Sequence, residues 1–196
     1  MLHNVKKQMS EINIMLDIET LSTKTNASIM TIGAVKFDRN SFKIKEQFYK
    51  RISKISNEHF NRDFDEQTMS WWSSQSEQCK KEIFEDKDRI NLSTALQELS
   101  IFCRGAKAVW ANGVAFDIPI LQSAYEDCNL DCPWKFWVVR DVRTIYDIGN
   151  MNLTVFKRQN KLDKQHHNAL HDCITQLLCF EQAMNNIYDR CFVVQD

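Results

Sequence analysis

The sequence predicts an α/β fold with one mixed sheet flanked by helices. Strand-like segments come first and lie close together, between Ile12 and Ile52. Amphipathic helical segments then alternate with short apolar strands. Four glycines and two prolines in 196 residues leave little flexible loop, and no repeat or linker divides the chain. One domain over residues 1–196 is expected, with about 10–185 as its core.

The elements follow in order. Ile12 to Ile18 alternates, with Ile12, Ile14, Leu16 and Ile18 on one face. Ile29 to Phe37 and Phe42 to Ile52 read as two further strands joined by the turn "DRNS", an antiparallel start of three strands. The segment from Asp65, "DEQTMSWWSSQSEQCKKEI", reads as one helix. "LSTALQELSIFCRG" is a clearer one, with Leu92, Ala95, Leu96, Leu99 and Phe102 on a shared face and Gly105 as its stop. "KAVWAN" is a short buried strand. "DIPILQSAYEDC" is a helix carrying Pro119 in its first turn, where a missing N–H does little harm. "PWKFWVVRDVRTIYDIG" mixes strand and helix. The last helix, "NALHDCITQLLCFEQAMNNIY", buries Ala169, Leu170, Cys173, Ile174, Leu177 and Leu178.

Composition excludes several classes. With 43% apolar and 26% charged residues the chain is ordinary for a globular protein, and its net charge of −1 provides no global field for a polyanion. No apolar run approaches the ~18 residues of a membrane span, so no membrane partner is expected. Lys6 and Lys7 precede an apolar segment that Asp17 interrupts, unlike a secretory signal. Seven irregularly spaced cysteines argue for a reduced cytoplasmic setting rather than a disulfide framework. Cys128 and Cys132 have metal-pair spacing but lack a second pair for a zinc site.

Against this background the carboxylates stand out. Asp17 and Glu19 are two apart in a strand, so they share the face opposite Ile14, Leu16 and Ile18. Like charges so close are costly unless a cation lies between them, and a hard divalent ion takes carboxylate oxygens. Solvent exposure of both is the alternative. Asp117 in "WANGVAFDIPIL" falls between a buried strand and a helix. Asp172 in "HHNALHDC" opens the last helix beside apolar Ala169 and Cys173. Four carboxylates in apolar settings point to one convergent acidic site.

"DIET" (17–20), "NGVAFD" (112–117) and "HNALHD" (167–172) resemble, in order and spacing, the three motifs of the DEDDh 3′–5′ exonucleases. The Trp–Trp segment and "KFWVVRDVRTIYD" are similar to the bacteriophage T4 exonuclease A type and, more distantly, to the mycobacterial exoribonuclease RNase AS. The resemblance implies an RNase H-like fold with a mixed five-stranded sheet, three antiparallel strands followed by parallel ones. It implies 3′-to-5′ hydrolysis of single-stranded DNA or RNA to nucleoside 5′-monophosphates, with DNA slightly favoured. Two Mg²⁺ or Mn²⁺ ions, roughly 3.5–4 Å apart, would be held by Asp17, Glu19, Asp117 and Asp172. His167 would be the general base, a role for which His166 and His171 compete.

Further roles come with the resemblance. Thr20 would touch the terminal nucleotide and Leu21 wedge against its base, or the two are a strand-end cap and a core leucine. Asn112 would orient the metal-site loop or close a turn. Trp72 or its neighbour Trp71 would stack on a base, or both are core. Arg143 or Arg140 would pair with phosphates, or with Asp141 or Asp147. A homodimer and, if phage-encoded, a host-cytoplasmic location are expected. The competing readings are an inactive nucleic-acid-binding module and an oligoribonuclease-like enzyme for very short strands.

Overall fold

The computed structural model describes residues 11–162 and 167–192. Lys6, Lys7 and His166 lie outside the described residues. Its strands are β1 Ile12–Thr20, β2 Ile29–Asp38, β3 Ile44–Ile52, β4 Arg89–Ile90, β5 Ala108–Ala111 and β6 Val139–Asp141. The helices are α1 Lys54–His59, α2 Glu66–Ser73, α3 Glu77–Phe84, α4 Leu92–Phe102, α5 Val114–Asp127, α6 Val142–Ile148, α7 Leu153–Gln159 and α8 Ala169–Phe192.

These strands form one sheet in the order β4-β3-β2-β1-β5-β6. β1 to β3 are an antiparallel meander, while β4, β5 and β6 pair in parallel with β3, β1 and β5. This is the expected mixed sheet with one strand more. β4 has two residues, too few for alternation to show in sequence.

β1 lies in the middle of the sheet and is buried on both faces over most of its length. Ile14, Leu16 and Ile18 enter the larger core with the apolar faces of α4 and α5. Met15 enters the second core with Val35, Phe37, Trp110 and the Cys173, Leu177 and Phe180 side of α8. Leu21, Met30, Trp72 and Ile83 make a small third cluster at the open end of β1. The five α4 positions predicted to share a face are all buried, and Gly105 follows that helix at φ +78°.

Several expectations are corrected. The segment after Asp65 is two helices: Ser74 ends α2, and the Ser76 side chain accepts the Cys79 N–H to start α3. α5 begins at Val114, so Pro119 is inside the helix rather than in its first turn. The early start follows from Gly113, at φ +106°, and from an external cap described below. The third strand begins at Ile44, because Phe42 turns to φ 53° and packs on Phe37 and Phe180. Leu178 is exposed, pointing off the buried stripe of α8. The short α1 and α7 had no periodicity long enough to read. No disulfide links the cysteines among the described residues, and no helix of those residues is long and apolar enough to cross a membrane.

Candidate active site

The carboxylates meet where β1 runs beneath the start of α8. In register, Asp17 lies opposite Gly33 of β2. A Cβ at Gly33 would collide with the backbone of Ala169 and Leu170. The bare strand therefore lets α8 settle directly beside Asp17. The Cys173 thiol donates to the Gly33 carbonyl at 3.3 Å and holds the contact. Asn168 caps the helix, its Oδ1 accepting the His171 N–H at 3.1 Å. Asp172 then falls in the first turn. Asp17, Glu19 and Asp172 each present an oxygen within 4.8 Å of the others.

Asp117 approaches from the other side of β1. It sits in the first turn of α5, 3% exposed, and its Oδ1 accepts the Ile18 N–H at 3.2 Å. The start of α5 is anchored by Asp141 at the end of β6. That carboxylate accepts the N–H groups of Gly113 (3.4 Å), Val114 (3.2 Å) and Arg143 (2.9 Å), so it caps α5 and α6 together. Arg143 lies across the turn, its Nε donating to Asn112 Oδ1 at 3.4 Å. A Cβ at Gly113 would lie 2.7 Å from Arg143 Nη2, a flexible tip that can move aside, so it is the φ of +106° that calls for glycine there.

The charges are crowded. Burial pushes the Asp17 carboxyl well above the usual carboxylate range, and the charges of Asp117, Glu19 and Asp172 push it further. Glu19 is raised by burial first, then by Asp172, Asp117 and Glu82. Glu82 is held by Arg51 at 3.2 Å and by the Tyr49 hydroxyl, which in turn accepts from Asn168 Nδ2 at 3.3 Å. Burial takes Asp117 up to about 7, against the Ile18 hydrogen bond and the Arg143 charge. Three desolvated carboxylates, Asp17, Glu19 and Asp117, with the charge of Asp172 beside them, are an unfavourable arrangement by themselves. As a donor set of hard oxygens they suit a divalent cation such as Mg²⁺ or Mn²⁺.

His167 stands at the rim. Its backbone holds φ +65°, a left-handed conformation uncommon outside glycine though histidine adopts it more readily than most, and its N–H donates to Asp172 Oδ2 at 3.0 Å. Its ring is edge-on to Trp71, with centroids 4.7 Å apart, and to Trp72 at 5.6 Å. Beside it opens a cavity of about 380 Å³ lined by Glu19, Thr20, Gln67, Thr68, Trp71 and Phe116, among others. Its size falls in the range of small-ligand pockets. Asp65 caps α2 through the Thr68 N–H at 2.8 Å and so positions that wall.

Two sequence-predicted contacts are placed differently. Leu21 is 1% exposed within the third cluster, so its side chain offers no wedge surface. Trp72 is also 1% exposed, its indole N–H donating to the Thr20 carbonyl at 2.9 Å; it backs the cavity wall. Trp71, 44% exposed, is the indole with an open face. The Thr20 hydroxyl donates to the Ser22 carbonyl at 2.7 Å, a strand-end turn. Arg140 is on β6, hydrogen-bonded to its own turn and not to Asp141 or Asp147.

Sequence reading missed Gly33, Asp141 and Gln176. Gln176 is one helical turn after Asp172, and its Nε2 donates to Asp17 Oδ1 at 2.8 Å. The i, i+4 spacing was the available signal. Replacing Gln176 by Leu is expected to leave the fold intact and to weaken divalent-ion affinity by ~10–100-fold, the usual effect of losing a group that orients a ligand carboxylate. Calorimetric titration with Mn²⁺ checks it.

A carboxylate set of this kind is one that metal-assisted hydrolysis of phosphate esters uses. The family can be stated. Residues 12–184 match the model of the Rv2179c-like 3′–5′ exoribonuclease domain. The chain belongs to that family. An exodeoxyribonuclease of Enterobacteria phage T4 is 22% identical over 202 residues, covering 88% of each chain. Two solved structures share the fold. The nuclease domain of 3′hExo, a DEDDh family member bound to rAMP, is 12% identical with a TM-score of 0.59, covering 92% of this chain and 96% of that one. Escherichia coli exonuclease I in its complex with single-stranded DNA is 12% identical with a TM-score of 0.66 over 93% of this chain. The chain spans 41% of the length of that exonuclease I chain.

Proposed function

We propose that the protein removes nucleotides one at a time from the 3′ end of single-stranded nucleic acid, releasing nucleoside 5′-monophosphates. The observation that carries this reading is the convergence of Asp17, Glu19 and Asp172 within 4.8 Å beside a nucleotide-sized cavity. Asp17, Glu19 and Asp172, with Asp117 nearby, would hold two divalent ions, Mg²⁺ or Mn²⁺. When bound, such ions supply Lewis acidity at the scissile phosphate and offset charge on the leaving oxygen. His167 takes the proton of the attacking water, a role suited to an imidazole within reach of the acidic cluster. Its N–H bond to Asp172 keeps it beside the acidic cluster. Trp71 stacks on the terminal base, and Thr20 and Glu19 line the space for its sugar. Asn112 steers the Arg143 guanidinium, which faces the phosphate beside Asp117.

DNA is the favoured strand, because the phage relative that covers 88% of both chains is an exodeoxyribonuclease. The family description names an exoribonuclease, so RNA is the necessary comparison. Cytoplasmic action, in the host cell if the protein is phage-encoded, and assembly as a homodimer belong to this reading. The test uses 5′-labelled DNA and RNA oligomers of one sequence with Mg²⁺ or Mn²⁺. The expected result is a ladder shortening from the 3′ end, faster for DNA and abolished by chelator. Binding with no shortening of either strand would favour an inactive binding module. Cleavage of dinucleotides alone would favour an oligoribonuclease-like enzyme.

A further inference from the structure

We propose that the exposed aromatic turn Phe136–Trp137, with Lys135 and Arg140, is a stacking platform for the part of a single-stranded substrate that lies 5′ of the scissile bond. This rests on the exonuclease reading above. Phe136 is 79% exposed and Trp137 60%, a pair of bare rings beside a well-covered core. Their centroids are 5.0 Å apart at 85°, so each ring keeps an open face. The turn is closed by a hydrogen bond from the Val138 N–H to the Lys135 carbonyl at 3.1 Å. Arg140 Nη1 donates to the carbonyls of Trp137 at 2.6 Å and Val139 at 2.8 Å, which ties the guanidinium to the backbone of this turn.

Charge supports a polyanionic occupant. Residues 135–143, "KFWVVRDVR", carry three cations and one anion in a chain of net charge −1. The anion, Asp141, is engaged with the N–H groups that start α5 and α6. Lys135, Arg140 and Arg143 enter no ion pair among the described residues. A base offers a π face whatever its identity, and a phosphate accepts from lysine or arginine. Aromatic rings interleaved with cations therefore suit single strands without regard to sequence.

Position fits as well. β6 is the sheet edge, with Arg140 level with Trp110 of β5 and so with Met15 of β1, two residues before Asp17. Strand spacing and rise put the Arg140 backbone ~12 Å from that of Asp17, with the Phe136–Trp137 turn farther out. Arg143, whose Nε donates to Asn112 Oδ1 at 3.4 Å beside the start of α5, marks the inner end of this line. A strand whose 3′ end occupies the cavity has a cationic, aromatic path along the β6 edge.

The test pairs a long ligand with a minimal one. Binding of fluorescein-labelled dT20 in chelator is read by anisotropy. Turnover of the p-nitrophenyl ester of thymidine 5′-monophosphate is read with Mn²⁺. Phe136→Ala/Trp137→Ala is expected to weaken dT20 binding roughly tenfold or more, with ester turnover within about twofold of wild type. Trp137→Tyr, which keeps a ring, should retain most of the binding. Unchanged dT20 affinity, or equal losses on both ligands, would overturn the proposal. So would a fall in native mass by light scattering in the double variant, which would make the turn an interface between copies. The binding arm needs no catalysis. An inert wild type would count against the exonuclease reading, and unaltered affinity in the variant against the platform.

Discussion

Asp17→Asn is expected to lower hydrolysis by ~10³-fold or more and, in the same protein, to raise the melting temperature in chelator at pH 7.5. The first effect follows from losing a ligand oxygen at the centre of the acidic cluster, where ion-mediated charge stabilisation is worth several kcal/mol. The second follows from the electrostatics. Asp17, Glu19 and Asp117 all have folded-state pKa values above their ordinary ones, Asp117 at about 7. The metal-free folded state therefore binds more protons than the unfolded chain between roughly pH 4 and 7. Stability contributed by these groups is fully present below about pH 4 and is lost as pH rises through the folded pKa values. Neutral asparagine at position 17 removes part of that loss and can still accept the Gln176 hydrogen bond. A gain of ~4–10 °C is expected for a chain of this size. Differential scanning fluorimetry across pH 4.5 to 8 with EDTA reads it directly. In wild type, Mn²⁺ should restore the neutral-pH stability and do little at pH 4.5.

Gly33→Val is expected to be the most damaging single change outside the carboxylates. The position looks innocuous in "TIGAVKF", within a buried strand. Yet a Cβ there meets the backbone of Ala169 and Leu170, which cannot rotate away as a side-chain tip could. Either β2 shifts against β1 or the start of α8 lifts off the sheet. The first breaks the pairing that sets Asp17 opposite residue 33, and the second withdraws Asp172. Overpacking a well-fitted contact costs ~1–3 kcal/mol, and backbone collisions lie at the upper end or beyond. Reduced soluble yield, a melting temperature lower by ~5 °C or more, and loss of Mn²⁺ binding are the expected results. Wild-type Mn²⁺ affinity in a folded Gly33→Val protein would show that α8 does not need this approach to present Asp172.

Asp17 and Gly33 differ in the trace each leaves in the sequence. Asp17 and Glu19 were legible because a two-residue period puts them on one face, opposite three apolar residues. Charge in an apolar strand requires a reason. Asp117 and Asp172 were legible by the same test, and the motif order tied them together. Gly33 and Asp141 act through tertiary contacts between elements far apart in the chain. One gives space and the other joins two helix starts, and neither leaves a periodic trace. The Trp71–Trp72 pair carried its spacing but not its orientation. Only the packing of α2 on β1 determines that Trp72 turns in to Thr20 and Trp71 stays open. The split between α2 and α3 was present as serines at 74 and 76, whose role as helix end and cap competes with helix continuation in any reading of the segment.

The claim on which the rest depends is that Asp17, Glu19, Asp117 and Asp172 form a divalent-ion site. Isothermal titration of the metal-free protein with Mn²⁺ at pH 6.5, in two buffers of different ionisation enthalpy, tests it most directly. The site predicts saturable binding with release of protons into the buffer, because ions displace protons from carboxyls whose pKa values are raised. It also predicts that Asp17→Asn abolishes most of that heat. Binding that releases no protons, or that survives Asp17→Asn and Asp172→Asn unchanged, would place the ions elsewhere and contradict the site.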